Sequence, residues 1–194
     1  MENNILCRDF YMRAVHAVAR DLLGKTLVST TNGSRIAGTI YETEAYDGEQ
    51  DLACHARSGK TARTAVMYSE GGHAYIYFTY GMHWMFNCVA GASGYPAAVL
   101  IRAIQPIEGI DIIRDRRQPT DQSHWCDGPA KMTKSLGITG MHNGMDMCQK
   151  NAVIYIEEGC LIPEEKVKKT PRIGLGRTPE PWKSKLWRYV ADIS

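Results

Sequence analysis

The stretch Glu42-Thr43-Glu44-Ala45-Tyr46 combines carboxylates with an aromatic side chain directly after an apolar run. The β-branched residues before it predict a strand that begins after the turn signal Asn32-Gly33. Because side chains alternate along a strand, one face is expected to carry Ile36, Ile40, Glu42, Glu44 and Tyr46, provided that no bulge intervenes.

The two isoleucines indicate that this face is the inner one. A buried carboxylate is costly unless it is paired or has a function. Glu44 is therefore either a general base at the end of a strand or a structural carboxylate that accepts hydrogen bonds from backbone donors or an arginine.

The rest of the chain predicts the elements that must position this stretch. Helical spacing and caps predict helices at 14–23, 106–117 and from Asp127-Gly128-Pro129 to Gly137. Apolar runs predict strands at 25–30, 97–104, 153–156 and 186–190. Residues 47–64 are expected to form a loop or short helix beside the strand end, and residues 166–172 a basic loop.

A β-hairpin is predicted from residues 73–80 and 84–90, with its tip at Tyr80-Gly81-Met82-His83. A three-residue loop at 81–83 would place Tyr77 opposite Asn87 on the same face. Four other aromatic residues are expected to fill the core, because alternating aromatics mainly cover sheet faces. They are Tyr75, Phe78, Trp84 and Phe86.

The chain has 194 residues, which is typical of one domain. Strands separated by unequal loops, without regular βαβ spacing, predict an α+β domain on a mostly antiparallel sheet. The net charge of +2 does not indicate nucleic acid, so any electrostatic footprint must be local.

Six scattered cysteines without a C-x-x-C pair argue against a zinc ribbon or an iron–sulfur cluster. The pairs Cys54-His55 and His124-x-Cys126 lack further ligands at useful spacing, so we expect no metal. No secretory signal or membrane span is recognisable. We therefore expect reduced thiols, a cytoplasmic or nucleoid-associated location (nuclear in a eukaryote) and no membrane partner.

Six short strings resemble, in order, the alkyladenine (3-methyladenine) DNA glycosylases. They are Glu42-Thr43-Glu44-Ala45-Tyr46, His55-Ala56-Arg57, Tyr77-x-x-Tyr80-Gly81-Met82-x-x-x-x-Asn87, Leu100-Ile101-Arg102-Ala103, Gly128-Pro129-Ala130-Lys131 and Arg172-Ile173-Gly174-Leu175-Gly176. The likeness runs over about residues 9–193 of a single domain spanning 1–194. It departs from the family pattern at Ala62-Arg63-Thr64 and Met85-Phe86, which puts the substrate range in doubt.

The resemblance implies a curved sheet with surrounding helices and a protruding hairpin that intercalates into DNA. It implies a monomeric, cofactor-free, monofunctional DNA glycosylase that removes alkylated or deaminated purines from duplex DNA in base excision repair. The class includes 3-methyladenine, 7-methylguanine, hypoxanthine and ethenoadenine.

The resemblance also assigns roles to residues. Glu44 would activate a water, Arg102 would help hold it, and the backbone at Leu175 would complete the water's cage. Tyr46, His55 and Tyr77 would sandwich the extruded base, and Asn87 would disfavour normal guanine. Residues assigned to DNA binding are Tyr80 as the wedge, with Gly81, Met82, Lys131 and Arg172.

These roles agree with elementary physics. A base inside a duplex must leave the stack to reach a carboxylate, at a cost of a few kcal/mol. An apolar wedge and aromatic stacking of about 1–3 kcal/mol per base can offset that cost. An anion stabilises the oxocarbenium-like state of C–N cleavage. The alternatives are a non-catalytic lesion- or RNA-binding module on the same scaffold and an enzyme acting on free nucleosides.

Overall fold

The computed structural model describes residues 4–31 and 33–193, and in them an antiparallel sheet is combined with short helices. The strands are β1 Thr26–Ser29, β2 Ile36–Asp47, β3 Ala74–Thr79, β4 His83–Val89, β5 Ala97–Glu108, β6 Ile154–Glu157, β7 Val167–Thr170 and β8 Arg188–Ala191. The α-helices are α1 Arg8–Tyr11, α2 Val15–Asp21, α3 Ile110–Arg117 and α4 Pro129–Leu136. The predicted α+β class is confirmed.

The sheet has the strand order β3-β4-β5-β2-β1-β6. The two long strands, β2 and β5, pair along most of their length at its centre. On the other edge of β2, the first half pairs with β1 and the second half, at Glu42–Glu44, pairs with β8. β7 extends the sheet beyond β8. The end of β2 that carries Glu44 is therefore hydrogen-bonded on both sides.

The register between β2 and β5 shifts between Ile40 and Glu42 and again between Glu42 and Thr43. Ile36 and Ile40 pack in the main core, whereas Tyr46 packs in a second cluster around Tyr75. The condition for the predicted common face, a strand without a bulge, is therefore not met, because an irregular pair changes the direction in which later side chains point.

The two faces of the sheet have different roles. The main core contains Ala45, Phe86 and Ile101, and the Thr43 hydroxyl donates to the carbonyl of Ala19 in α2 at 2.8 Å. Residues that alternate with these along the same strands point to the opposite face. That face is partly open and carries the second cluster.

Some predicted bounds differ from the structure. β5 continues through Pro106 to Glu108, and α3 begins only after Gly109, so the helix predicted from residue 106 is wrong at its start. Pro106 pairs with Gly38 at a register shift, where a missing N–H is tolerated. The predicted basic loop includes the strand β7.

The hairpin β3–β4 is present, but its register differs from the prediction. Asn87 lies opposite Tyr75, and Tyr77 lies opposite Met85, because the connecting residues are 80–82 rather than 81–83. A shift of two residues preserves the face, so Tyr77 and Asn87 still lie on the same side. The predicted Asn32-Gly33 turn falls partly outside the described residues, since Asn32 is not among them.

The aromatic residues that were predicted to fill the core divide into different environments. Phe86 is fully buried, whereas Phe78, which pairs with Trp84 near the tip of the hairpin, is 45% exposed. Tyr75 is buried but belongs to the second cluster on the open face.

Within the described residues, none of the helices is both long and apolar enough to cross a membrane. The cysteines Cys7, Cys54, Cys88, Cys126, Cys148 and Cys160 are all free thiols.

Candidate active site

A cavity of about 490 Å³ lies on the open face of the sheet. The register aligns a row of residues across five strands, because directly paired residues point to the same side. The row runs Tyr75, Asn87, Leu100, Glu44, Arg188. The strand residues that line the cavity are Tyr46, Tyr75, Tyr77, Thr79, Met85, Asn87, Ala98, Leu100 and Arg102.

Glu44 is fully buried, and its carboxylate is held from three directions. Oε1 accepts a hydrogen bond from the backbone N–H of Ile173 at 2.7 Å and lies 3.4 Å from Nη1 of Arg102. Oε2 accepts from the hydroxyl of Tyr46 at 2.9 Å. Burial raises the pKa of Glu44 above its ordinary value, although Arg102, Ile173 and Tyr46 oppose the shift.

Glu44 does not itself line the cavity, but Tyr46, Arg102 and Ile173 do. The carboxylate therefore lies directly behind the inner wall. A water that reaches it must enter between these three partners. Arg102 does not serve as a counter-ion for Glu44 only, because it also pairs with a second carboxylate.

That second carboxylate is Glu42, two residues earlier in β2. Its Oε1 accepts from Nε of Arg102 at 2.7 Å and from Nε of Arg188 at 2.6 Å. Burial tends to lower the pKa of Arg102, but Glu44 and Glu42 outweigh it and raise the pKa above its usual value. Arg102 is therefore a fixed cation at the inner wall.

Aromatic rings form another part of the cavity wall. His55 and Tyr77 meet edge to face, with ring centroids 4.5 Å apart. Nδ1 of His55 lies 3.0 Å from the hydroxyl of Tyr75. Burial, together with the nearby cations Arg63 and Arg57, lowers the pKa of His55 to about 4, so the imidazole is neutral at pH 7.

Asn87 lines the cavity with its amide fixed in orientation. Its Nδ2 donates to the carbonyl of Tyr75 at 2.9 Å, and the side chain is almost fully buried. A fixed amide in a cavity wall can discriminate between ligands by shape and by hydrogen bonding.

In the segment after β7, the backbone N–H of Ile173 donates to Glu44, and Leu175 lines the cavity. The role of the Leu175 backbone in the water's cage stays a prediction. Arg172 does not lie on a DNA-facing surface, so its assignment to DNA binding is wrong. Its buried guanidinium donates to both carboxylate oxygens of Asp51, at 2.5 and 2.9 Å, and the Asp51 side chain is buried as well.

The hairpin tip lies at the mouth of the cavity. Tyr80 is 80% exposed with a φ of 53°, lines the cavity, and is followed by Gly81 and by Met82, which is 67% exposed. Lys131, at the start of α4, is partly exposed and pairs with Asp127 at 2.7 Å. A groove between the tip and α4 is lined by Met82 and Lys131 together.

Several neighbours of the site were not predicted from the sequence. Glu42 and Arg188 hold Arg102, Asp51 holds Arg172, and the Arg63 guanidinium lies 5.3 Å from the ring centre of Tyr77. The spacing of Glu42 two residues before Glu44 was the available signal for the first of these. Among residues 4–31 and 33–193, no group of three or more His, Cys, Asp or Glu side chains could hold a metal ion.

Comparison with known proteins agrees with this geometry. A sequence model of the family described as methylpurine-DNA glycosylase matches residues 9–194. The chain is 46% identical over 184 residues to a protein of Methanocella arvoryzae, covering 92% of this chain and 90% of that protein. It is 48% identical over 171 residues to a protein of Carboxydothermus hydrogenoformans, covering 88% of each. Both relatives carry the name "Putative 3-methyladenine DNA glycosylase".

Proposed function

The chain belongs to the methylpurine-DNA glycosylase family and is a DNA glycosylase, and from that premise we propose its substrates and mechanism. It is an N-glycosyl hydrolase of base excision repair. We propose that it acts as a monomer, without a cofactor, on alkylated and deaminated purines in duplex DNA, and that it rotates the damaged nucleotide into the cavity.

The observation that carries this proposal is the placement of Glu44. The carboxylate is pinned by Arg102, by the Tyr46 hydroxyl and by the Ile173 N–H at the inner wall of a cavity with aromatic sides. A base seated among Tyr46, His55 and Tyr77 would present its sugar to this wall. The anion then lies beside the carbon at which positive charge develops.

The proposed reaction is a hydrolysis. The C1′–N bond breaks with its electron pair going to the purine, a water attacks C1′, and Glu44 accepts the proton of that water. The products are the free purine and an abasic site. Cationic alkylated purines leave as neutral molecules, and the electron-rich rings of Tyr46 and Tyr77 attract them before cleavage.

The exposed tip supports the proposed rotation of the base. Tyr80 is exposed at the mouth of the cavity and would fill the space left in the duplex. Met82 and Lys131 border the adjoining groove and would contact the strand around the lesion.

Replacement of Glu44 by Gln tests the proposal. Gln keeps the shape but cannot accept the proton, so we expect the single-turnover rate on duplex containing 7-methylguanine to fall by about 10²–10⁴-fold. Binding of the same duplex should change little. The matched control is Glu157→Gln. Glu157 lies on β6, away from the cavity, and its carboxylate pairs with Arg35. Equal base release by wild type and Glu44→Gln would contradict the proposed role.

A comparison of base release from duplex and from free nucleoside distinguishes the proposed function from that of an enzyme acting on free nucleosides. Release from damaged duplex at limiting enzyme should fall steeply as salt rises, because phosphate contacts release counterions. Faster release from 7-methylguanosine than from duplex, without salt dependence, would favour the alternative.

A further inference from the structure

Glu42 is a second, nearly buried carboxylate at the inner wall, and the proposed reaction does not use it. It is 7% exposed. A buried carboxylate next to a general base is unfavourable unless cations compensate it, and two arginines do so here. Arg102 on β5 and Arg188 on β8 approach the same oxygen, Oε1, from opposite neighbouring strands.

Arg102 is closer to Glu42 than to Glu44. Its Nε lies 2.7 Å from Glu42, which is hydrogen-bond distance, whereas its Nη1 lies 3.4 Å from Glu44. A carboxylate in a full bidentate pair with arginine is a weaker base, because two charge-assisted hydrogen bonds stabilise its ionised form. The observed arrangement avoids that pair, because Glu42 takes the nearer contact.

Arg188 limits how strongly Glu42 attracts Arg102. Its Nε donates to Glu42 and its Nη1 donates to the hydroxyl of Thr170 on β7 at 3.0 Å, so the side chain is held at both ends. Glu42 therefore divides its negative charge between two fixed cations.

On the basis of the function proposed above, we propose that Glu42 is a positioning residue that holds Arg102 away from a close pair with Glu44. Glu42 thereby keeps Glu44 available to the attacking water. Arg188 sets the strength of this hold. Glu42 and Arg188 act through Arg102 and do not contact the substrate.

The proposal gives opposite expectations for the two partners. Glu44 faces Glu42 and Tyr46 on its own strand, Arg102 from β5, Tyr77 from β3, Arg188 from β8 and the N–H of Ile173. Removing the charge of Glu42 frees Arg102 to approach Glu44 and removes a repulsive anion, and both changes lower the pKa of Glu44. Removing Arg188 draws Arg102 toward Glu42 and raises that pKa.

The test measures single-turnover release of 7-methylguanine from duplex as a function of pH. This cationic base leaves without being protonated, so the acid limb of the profile reports Glu44. For Glu42→Gln we expect an acid limb at lower pH and a plateau rate reduced by about tenfold to a hundredfold, with lesion binding unchanged. For Arg188→Met we expect the acid limb at higher pH.

Opposite shifts of the acid limb in the two variants distinguish a role of Glu42 in positioning Arg102 from a purely structural role. A purely structural loss would lower the amplitude in both variants and leave both acid limbs in place. Such a result, or shifts in the same direction, would overturn the proposal. If thermal melting shows that Glu42→Gln does not fold, Arg188→Met alone tests the proposal. An acid limb at the same pH as in wild type would then overturn it. Glu157→Gln serves as the matched control and should leave rate and profile unchanged.

The outcomes also separate this inference from the proposed function. A wild-type protein that releases no base from any damaged duplex overturns the proposed function, and the inference fails with it. An active wild type, an inactive Glu44→Gln and an unchanged Glu42→Gln overturn the inference alone.

Discussion

His55 shows at the residue scale how neighbouring groups select one protonation state. The imidazole lies against Tyr75 and Tyr77, and the cations Arg63 and Arg57 lie nearby. Loss of solvent and repulsion by these cations both disfavour the imidazolium. A neutral ring can stack on a cationic purine without charge repulsion, which suits the proposed substrate class.

We expect the His55 ring to titrate near pH 4 in the free protein. NMR of the ring protons checks this, with the His55→Gln variant identifying the resonance. Because the unfolded chain binds the proton near pH 6.5, the contribution of His55 to the free energy of unfolding should decrease as the pH falls from about 6.5 to 4. A titration midpoint near 6.5 would contradict the proposed effect of the neighbouring rings and cations on the pKa of His55.

The β3–β4 hairpin is the element that presents Tyr80, and it is braced on both strands. The N–H of Ile76 donates to the side chain of Asn143 at 2.9 Å, and the hydroxyl of Thr133 donates to the carbonyl of Trp84 at 2.9 Å. Beyond these two hydrogen bonds the strands remain paired as far as Thr79 and His83, and the connecting residues 80–82 form the tip. A braced hairpin with a short tip can insert a side chain without losing much conformational freedom on binding.

Replacement of Tyr80 by Ala should weaken binding to lesion-containing duplex by roughly 1–3 kcal/mol, because the wedge and its stacking are lost. Thermal stability should stay close to that of wild type, since the ring is 80% exposed. Fluorescence anisotropy with matched lesion and undamaged duplexes measures the effect. Leu161→Ala, at a position that is also 80% exposed, is the control. Equal lesion affinity for Tyr80→Ala and wild type would rule out the wedge.

At the scale of the whole molecule, a buried ion pair joins segments that are distant in sequence. Arg172 binds Asp51 and the carbonyl of Ala45, and its guanidinium lies between the rings of Tyr46 and Trp187, at 4.7 and 4.9 Å. The pair thus connects β2, the loop before His55 and the segment that contacts Glu44. Residues of all three segments line the cavity, among them Tyr46, Cys54 and Ile173.

We expect Asp51→Asn to lower the free energy of unfolding by about 3–5 kcal/mol, because Arg172 would remain buried without its counter-ion. Urea denaturation monitored by circular dichroism measures the change. Asp111→Asn removes the carboxylate of an exposed pair with Arg114 and should leave stability unchanged within error. A similar stability for Asp51→Asn and wild type would show that the pair is not needed to join these segments.

The local patterns of the sequence predicted the α+β class, the hairpin and α4, which runs from Pro129 to Leu136 and ends before Gly137 with a φ of 70°. These features depend on contacts between residues close in sequence: turn chemistry, helix caps and alternation along a strand. Six short strings in order, among them the one around Glu44 and Tyr46, likewise indicated the family by resemblance.

The tertiary structure decided what depends on contacts between distant segments. The register shifts in β2 set which side chains face the cavity, the pairing with β8 brought Arg188 to Glu42, and burial turned Arg172 from an expected DNA contact into an internal counter-ion. Charge and residue type are visible in a sequence, but exposure and register are not, because both arise only when the strands pair and the core excludes water.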